Sequence, residues 1–158
     1  MGQAHTERGR TVKILIFGLP GSGKTTLAKP FAKLIGGVHI NADAVREKYD
    51  DWDFSAKGRL RQTLRMCHLA DGIVIAGKIA VADFVCPTQV TRDWFAPDYT
   101  VWMDTIDQGR YEDTNEMFEK PEHCNYHVNK WFDDTHAQLV KVVNNYMLKQ
   151  QDKPTERL

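Results

Sequence analysis

Apolar residues in this chain fall into two alternating spacings. Short, nearly continuous apolar runs read as buried strands: Val12 to Phe17, Val38 to Ile40, Ile79 to Val85 and Tyr99 to Met103, with a weaker run from Asn125 to Val128. Stretches with helical periodicity separate them: Thr25 to Ile35, Ala44 to Tyr49, Ser55 to about Ala70, Gln89 to Phe95 and Asp133 to Gln150. In the last of these, Leu139, Val142, Val143, Tyr146 and Met147 form one stripe. Ser55 has the side chain of a helix N-cap, and Gly36-Gly37 stops the first helix. Pro30 sits inside that helix, removes one backbone hydrogen bond and predicts a kink.

Two stretches resist a single reading. Leu60, Leu64, Cys67 and Leu69 keep helical spacing, and Asp71-Gly72 breaks it. Ile73 to Ala76 fits either a strand or a buried helix; it is taken as the end of the helical layer, with Gly77 as the turn. Gly109 to Glu122 is polar without a strong period and reads as a mobile loop or a short helical excursion. Met1 to Arg10 and Gln151 to Leu158 read as flexible tails. The expected architecture is α/β: one domain over residues 1–158, with a five-stranded parallel sheet flanked by helices and right-handed crossovers. Ligands then bind beyond the carboxyl ends of the strands, at the loop after Phe17, at Asn41 to Asp43, at Asp83 to Pro87 and at Asp104-Thr105.

The first of those loops carries chemistry. Gly18-Leu19-Pro20-Gly21-Ser22-Gly23-Lys24-Thr25-Thr26 fits G-x-x-x-x-G-K-[ST], and it lies between a strand and a helix as that pattern requires. Glycines let successive backbone N–H groups wrap a phosphate, and the helix N-terminus adds its partial positive charge. Lys24 is expected at the β- and γ-phosphates of ATP, and the Thr25 hydroxyl on Mg²⁺. On its own the loop indicates nucleotide binding; the expected fold is a three-layer P-loop NTPase, nucleotide-kinase-like.

Composition narrows the partners. The chain has 42% hydrophobic and 27% charged residues, an ordinary soluble balance. Its 21 basic and 21 acidic side chains give no net charge, which disfavours generic attraction to nucleic acid or anionic membrane. The three cysteines, Cys67, Cys86 and Cys124, are scattered and suit reduced thiols in the cytoplasm. Cys86 reads as a small buried hydrophobe at the edge of the substrate pocket. No apolar run is long enough to span a membrane and no secretory signal core is present, so a soluble, cytoplasmic protein is expected.

A second group of residues points to an acceptor. Asp43 just past the second strand could take the proton of an attacking hydroxyl or position magnesium through water. Arg46, one turn later, could pair with an acidic substrate. Phe54 could stack on a base, and Arg59 and Gln62 share a helix face, whereas Arg61 reads as a solvated surface residue.

Taken in order, these segments resemble adenylylsulfate kinase, which uses ATP to phosphorylate the 3′-hydroxyl of adenosine 5′-phosphosulfate. Gly18 to Thr26 matches the family's G-L-x-G-S-G-K-[ST]-T loop, and Asn41-Ala42-Asp43-Ala44-Val45-Arg46 its D-G-D-N-V-R. Asp53-Phe54-Ser55 and Gly58 to Arg65 correspond to G-F-S and D-R-x-x-N-I-R-R. Phe84-Val85-Cys86-Pro87 matches F-I-S-P, and Met103-Asp104-Thr105 matches V-D-T. The resemblance implies that Lys24 and Thr25 handle ATP phosphates and Mg²⁺, and that Asp43 is the acid at the reacting hydroxyl. Arg46 and Arg59 would hold the phosphosulfate with Gln62, Phe54 would stack on the adenine, and Phe84 and Val85 would edge the pocket. The partner is then a small-molecule nucleotide, with a homodimer left open.

The departures are specific. The first Asp of D-G-D is Asn41, its following Asn is Ala44, and Asp83 adds an acid before Phe84. Between Asp104 and Phe118 the family's long basic lid is replaced by a short segment in which Arg110 is the nearby cation, and it is the remaining candidate ATP-binding residue. A kinase for another nucleotide or a nucleic-acid hydroxyl is the alternative, and a nucleotide-binding module without catalysis a third reading.

Overall fold

A computed structural model describes residues 11–109 and 112–152. Five strands form one sheet: β1 (Lys13–Gly18), β2 (Val38–Asn41), β3 (Ala80–Asp83), β4 (Tyr99–Met103) and β5 (Tyr126–Val128). All pairings are parallel and the spatial order is β2-β3-β1-β4-β5. The helices are α1 (Lys24–Ile35), α2 (Ala42–Tyr49), α3 (Ala56–Ile75), α4 (Gln89–Phe95), α5 (Glu112–Met117) and α6 (Thr135–Asp152).

Burial explains the apolar runs. β1 is central and every one of its residues is buried, as expected of a strand covered on both faces. On one face Ile14, Ile16, Val81 and Val101 pack against Leu27 and Phe31 of α1 and Leu139 and Val143 of α6. On the other, Leu15, Phe17, Ala80 and Ala82 pack against Val45, Met66, Ala70 and Phe95. Even Lys13 is absorbed: its ammonium reaches Asp71 at 2.7 Å.

As expected, the helical layer takes in Ile73 to Ile75 and the turn comes at Gly77; α3 runs through Asp71-Gly72, with Asp71 paired to Lys13. The buried face of α3 is rotated from the Leu60, Leu64, Cys67 and Leu69 stripe. It carries Gly58, Gln62, Thr63, Met66 and Ala70, while Leu69 is exposed. Ser55 caps α3 by accepting from the Gly58 N–H, a contact whose loss costs about 1 kcal/mol. Pro30 is accommodated inside an unbroken α1. The 109–122 segment contains the short helix α5. The expected N-terminal tail and residues 153–158 lie outside the described residues.

Candidate active site

β1, β2 and β3 end at one edge of the sheet, and a cleft of about 770 Å³ opens there. One wall is the loop between β1 and α1. Gly18 starts it, and only glycine fits: a Cβ there would stand 2.5 Å from the Met103 carbonyl oxygen and 2.9 Å from Ser22 Oγ. Gly23 precedes α1 with φ 95°, a left-handed conformation that glycine adopts without strain. It provides no side-chain cap, so the first turn of α1 keeps its N–H groups for another acceptor. Thr105 fastens the loop from outside, donating to the Ser22 carbonyl at 2.7 Å.

Pro20, Gly21, Gly23, Lys24, Thr25 and Thr26 line this wall. Gly18, Leu19 and Ser22 are buried behind it as its frame. Lys24 Nζ donates to the Leu19 carbonyl at 3.1 Å. Burial pushes its pKa down from 10.5 to about 8, against the raising pull of Asp83 and Asp43. A lysine held this way gains a great deal from a phosphate, which restores the compensation that burial removes.

The floor is an oxygen-rich cluster. Thr25 Oγ1 donates to Asp83 Oδ1 at 3.1 Å, and Asn41 Nδ2 donates to Thr25 Oγ1 at 3.2 Å. Asn41 also reaches both Asp83 oxygens, at 3.3 and 3.4 Å. His39 Nε2 meets Asp83 Oδ2 from the far side. Asp43, in the first turn of α2, lines the cleft and is exposed to it.

The opposite wall comes from the loop before α3 and from α3 itself. Trp52, Phe54 and Arg59 line it, with Phe84 and Val85 at the β3 exit and Thr114 of α5 above. Arg59 donates to the Phe54 carbonyl at 2.9 Å and to Thr114 Oγ1 at 3.2 Å, tying this wall to α5. Phe54 is half exposed, and the Arg46 guanidinium lies 4.2 Å from its ring centre.

These walls are those of a P-loop kinase fold, and comparison with known proteins agrees. The sequence profile of the family described as adenylylsulphate kinase matches residues 10–123, well over half of the chain. The chain belongs to the adenylylsulphate kinase family. The APS kinase CysC of Mycobacterium tuberculosis, solved in complex with AMPPNP and APS, superposes with TM-score 0.70 at 16% identity, covering 89% of this chain and 98% of that one. The hexameric APS kinase from Thiobacillus denitrificans gives TM-score 0.68 at 20% identity, over 95% of this chain and 32% of that one. Shikimate kinase from Acinetobacter baumannii, in complex with shikimate, gives TM-score 0.53 at 18% identity, over 90% and 96%. At such identities the likeness establishes the fold. A comparison with curated proteins returned no match.

Within this adenylylsulphate kinase family member, the expected site residues divide. Lys24, Thr25, Asp43, Phe54, Arg59, Phe84 and Val85 share the cleft. Arg46 and Gln62 do not line it. Arg46 is buried and donates to the carbonyls of Asp51 at 2.9 Å and Asp53 at 3.2 Å, so it braces the loop behind Phe54. Gln62 is buried and donates to the Ala42 carbonyl at 2.9 Å, joining α3 to α2. Arg61 pairs with Asp51 and Asp53 rather than standing free. Arg110 lies outside the described residues. Cys86 is buried, and burial raises its thiol to about 12, so it behaves as a small hydrophobe. Asn41 and Asp83, expected at the ligand-binding strand ends but given no role there, line the cleft, and so do Trp52 and Thr114, which were not expected. Asp83 had a visible signal, an acid closing the apolar run Ile79-Ala80-Val81-Ala82. Among the described residues, no helix is long and apolar enough to cross a membrane.

Proposed function

We propose that this protein transfers the γ-phosphoryl group of ATP to the 3′-hydroxyl of adenosine 5′-phosphosulfate. The observation that carries this reading is the convergence of Lys24, Thr25 and Asp43 on a cleft whose far wall holds Phe54 and Arg59. Lys24 and the N–H groups at the start of α1 grip the β- and γ-phosphates. Phe54 offers a ring face to the acceptor base, and Arg59 a charge to its anionic part. Asp43 accepts the acceptor hydroxyl's proton as its oxygen bonds to the γ-phosphorus. The bond from that phosphorus to the β,γ-bridging oxygen breaks, and ADP leaves with the electron pair.

Mg²⁺ fits the donors present. Thr25 Oγ1 sits in a cluster of hard oxygen atoms, and a magnesium bound with a nucleotide needs only one or two protein oxygens beside phosphates and water. It would neutralise charge on the phosphates in transit.

One observation favours a second reading, in which the acceptor is a different hydroxyl compound with less negative charge than adenylylsulfate, a nucleoside before a polyanionic nucleic-acid end. Arg61 and Arg65 are paired with Asp51, and Arg46 is held by carbonyls, which leaves Arg59 as the arginine on the cleft wall among the described residues. ADP release from labelled ATP, measured over a panel of adenylylsulfate, nucleosides, nucleotides and oligonucleotides, separates the two. The first reading requires adenylylsulfate to be the fastest acceptor, with Asp43→Ala slowing transfer by about 10² to 10⁴. Transfer to another hydroxyl and none to adenylylsulfate selects the second. Asp43→Ala turnover equal to wild type removes the role given to Asp43.

A further inference from the structure

An acid that the family pattern carries at the end of β2 stands in this chain at the end of β3. Position 41, where D-G-D begins in that pattern, is Asn, and position 83 is Asp. The two residues are direct register partners across the parallel β2–β3 pair. Adjacent strands lie about 4.8 Å apart, so positions 41 and 83 differ by one strand with no shift along the sheet. Both side chains still meet the same hydroxyl. Thr25 Oγ1 lies 3.1 Å from Asp83 Oδ1 and 3.2 Å from Asn41 Nδ2. An acid at either position therefore addresses one point, just below the start of α1.

The Asp83 carboxylate is 2% exposed in a strand otherwise made of Ala and Val, yet it lines the cleft. Burying a carboxylate there is costly unless it is held and used. It is held by Thr25, by Asn41 and, at Oδ2, by His39. Thr25 and Asn41 are uncharged donors, and the ammonium of Lys24 bonds to the Leu19 carbonyl instead. The negative charge thus faces the phosphate loop next to the one hydroxyl that a nucleotide-bound magnesium ion would use. In P-loop phosphotransferases a strand-end acid and the loop Ser or Thr together hold that ion.

We propose that Asp83 is the carboxylate that positions Mg²⁺ with ATP in this protein, replacing an acid at position 41, with His39 and Asn41 as the positioning residues that aim it. This rests on the ATP-dependent kinase reading above. His39 occupies the oxygen turned away from Thr25, which fixes the carboxylate's rotation. Asn41 is then an amide because a second carboxylate within hydrogen-bond distance of Asp83 would repel it.

The test uses ATP binding rather than turnover. ATP affinity of the full chain is measured by calorimetry with and without Mg²⁺, for wild type, Asp83→Asn and the exchange variant Asn41→Asp/Asp83→Asn, with thermal melts as the control for folding. Wild type should bind ATP more tightly with Mg²⁺. Asp83→Asn should lose about tenfold or more of that enhancement while its metal-free ATP affinity is unchanged or improved, as the removal of a nearby negative charge requires. The exchange variant should recover most of the enhancement. An unchanged enhancement in folded Asp83→Asn overturns the assignment. A folded exchange variant that fails to recover overturns the strand-to-strand replacement. Wild type that binds no ATP at all overturns the kinase reading itself, and this inference with it.

Discussion

The two walls of the cleft handle charge in opposite ways. On the wall that carries the phosphate loop, Lys24 and the uncapped start of α1 line the cleft, and the groups that hold them are backbone atoms and neutral side chains. On the acceptor wall and behind it, four arginines lie within residues 46–65, and each is already engaged by the chain's own oxygens. Asp51 takes two of them, and the Arg61 and Arg65 hydrogen bonds hold its carboxyl far below the usual range. Asp53 is lowered to about 2, first by Ser55 and then by Arg61. The donor wall is therefore prepared for an anion before one arrives. On the acceptor side two of the four arginines, Arg61 and Arg65, are balanced by carboxylates and Arg46 is held away from the cleft, so among the described arginines an anionic acceptor must work through Arg59 or displace a carboxylate.

Removing the donor wall's charge should have the largest effect. Lys24→Met replaces a buried ammonium with an apolar chain of similar length, so the fold should survive. ADP formation should fall about 10³-fold, since one preorganised group facing developing charge is worth that much. A continuous coupled assay for ADP checks this. Activity within tenfold of wild type would mean that the donor wall does not depend on Lys24 and that the contrast between the walls is wrong.

Next in size is the seam that joins the walls to the segment above them. Arg92 is buried, donates to the carbonyls of Cys86 at 2.9 Å, Pro87 at 3.0 Å and Glu119 at 2.6 Å, and lies 4.4 Å from the Phe17 ring centre and 5.1 Å from that of Phe118. One side chain thus fixes both the β3 exit and the chain returning from α5. Arg92→Met leaves three carbonyls without this donor and should cost about 3 kcal/mol, seen as a fall of roughly 6–12 °C in Tm. A melt within 2 °C of wild type, taking 2 °C as about the change that 1 kcal/mol produces, would show that the two regions are joined elsewhere.

The pH dependence separates the walls at smaller amplitude. Lys24 titrates at about 8 in the unliganded fold because it is buried, against 10.5 when exposed. Between those values the unfolded chain binds the extra proton, so this group's contribution to stability rises with pH across the window. Below pH 8 the full cost of burying the charge is present. ATP affinity should run the other way, because binding needs the ammonium. From pH 7 to pH 9 the ATP Kd should rise about tenfold, with proton uptake on binding visible by calorimetry in buffers of different ionisation enthalpy. Lys24→Met should abolish both signals, and a flat Kd in wild type would sink the assignment.

The same contrast governs what could be read from the sequence. The donor wall was legible because its parts are contiguous: Gly18 to Thr26 carry the turn, the cation and the hydroxyl in one stretch. Asp43 and Phe54 were legible because they follow strand and helix ends. Arg46 and Gln62 were assigned from the family resemblance and their places along a helix, and neither reveals which oxygen a side chain will meet; the structure turns both inward. Asp83 is 58 residues from Thr25 in sequence, and only the β2-β3-β1 order brings it under the loop. The length of α3 was legible from the run Ile73 to Ala76 and Gly77, but its buried face was not, since Lys13 on β1 is what meets Asp71.

The smallest expected effect tests the acceptor wall directly. Asp51 sits beside Trp52, a lining residue, and accepts from Arg61 at 3.0 and 3.2 Å and from Arg65 at 2.7 Å. Asp51→Asn keeps the shape but removes one negative charge next to the acceptor. The surrounding arginines then act on whatever binds there. For an anionic acceptor the KM should fall about threefold at low salt, and the gain should vanish as added salt shortens the screening length to about 3 Å. For an uncharged acceptor the KM should not move, and the KM for ATP should change less than that for the anionic acceptor, because Asp51 does not line the cleft. An equal shift for charged and uncharged acceptors would mean that the substitution changed the wall's shape. No shift for either would mean that the Asp51 network only braces the loop before α3, in which case the engaged arginines say nothing about the charge of the acceptor.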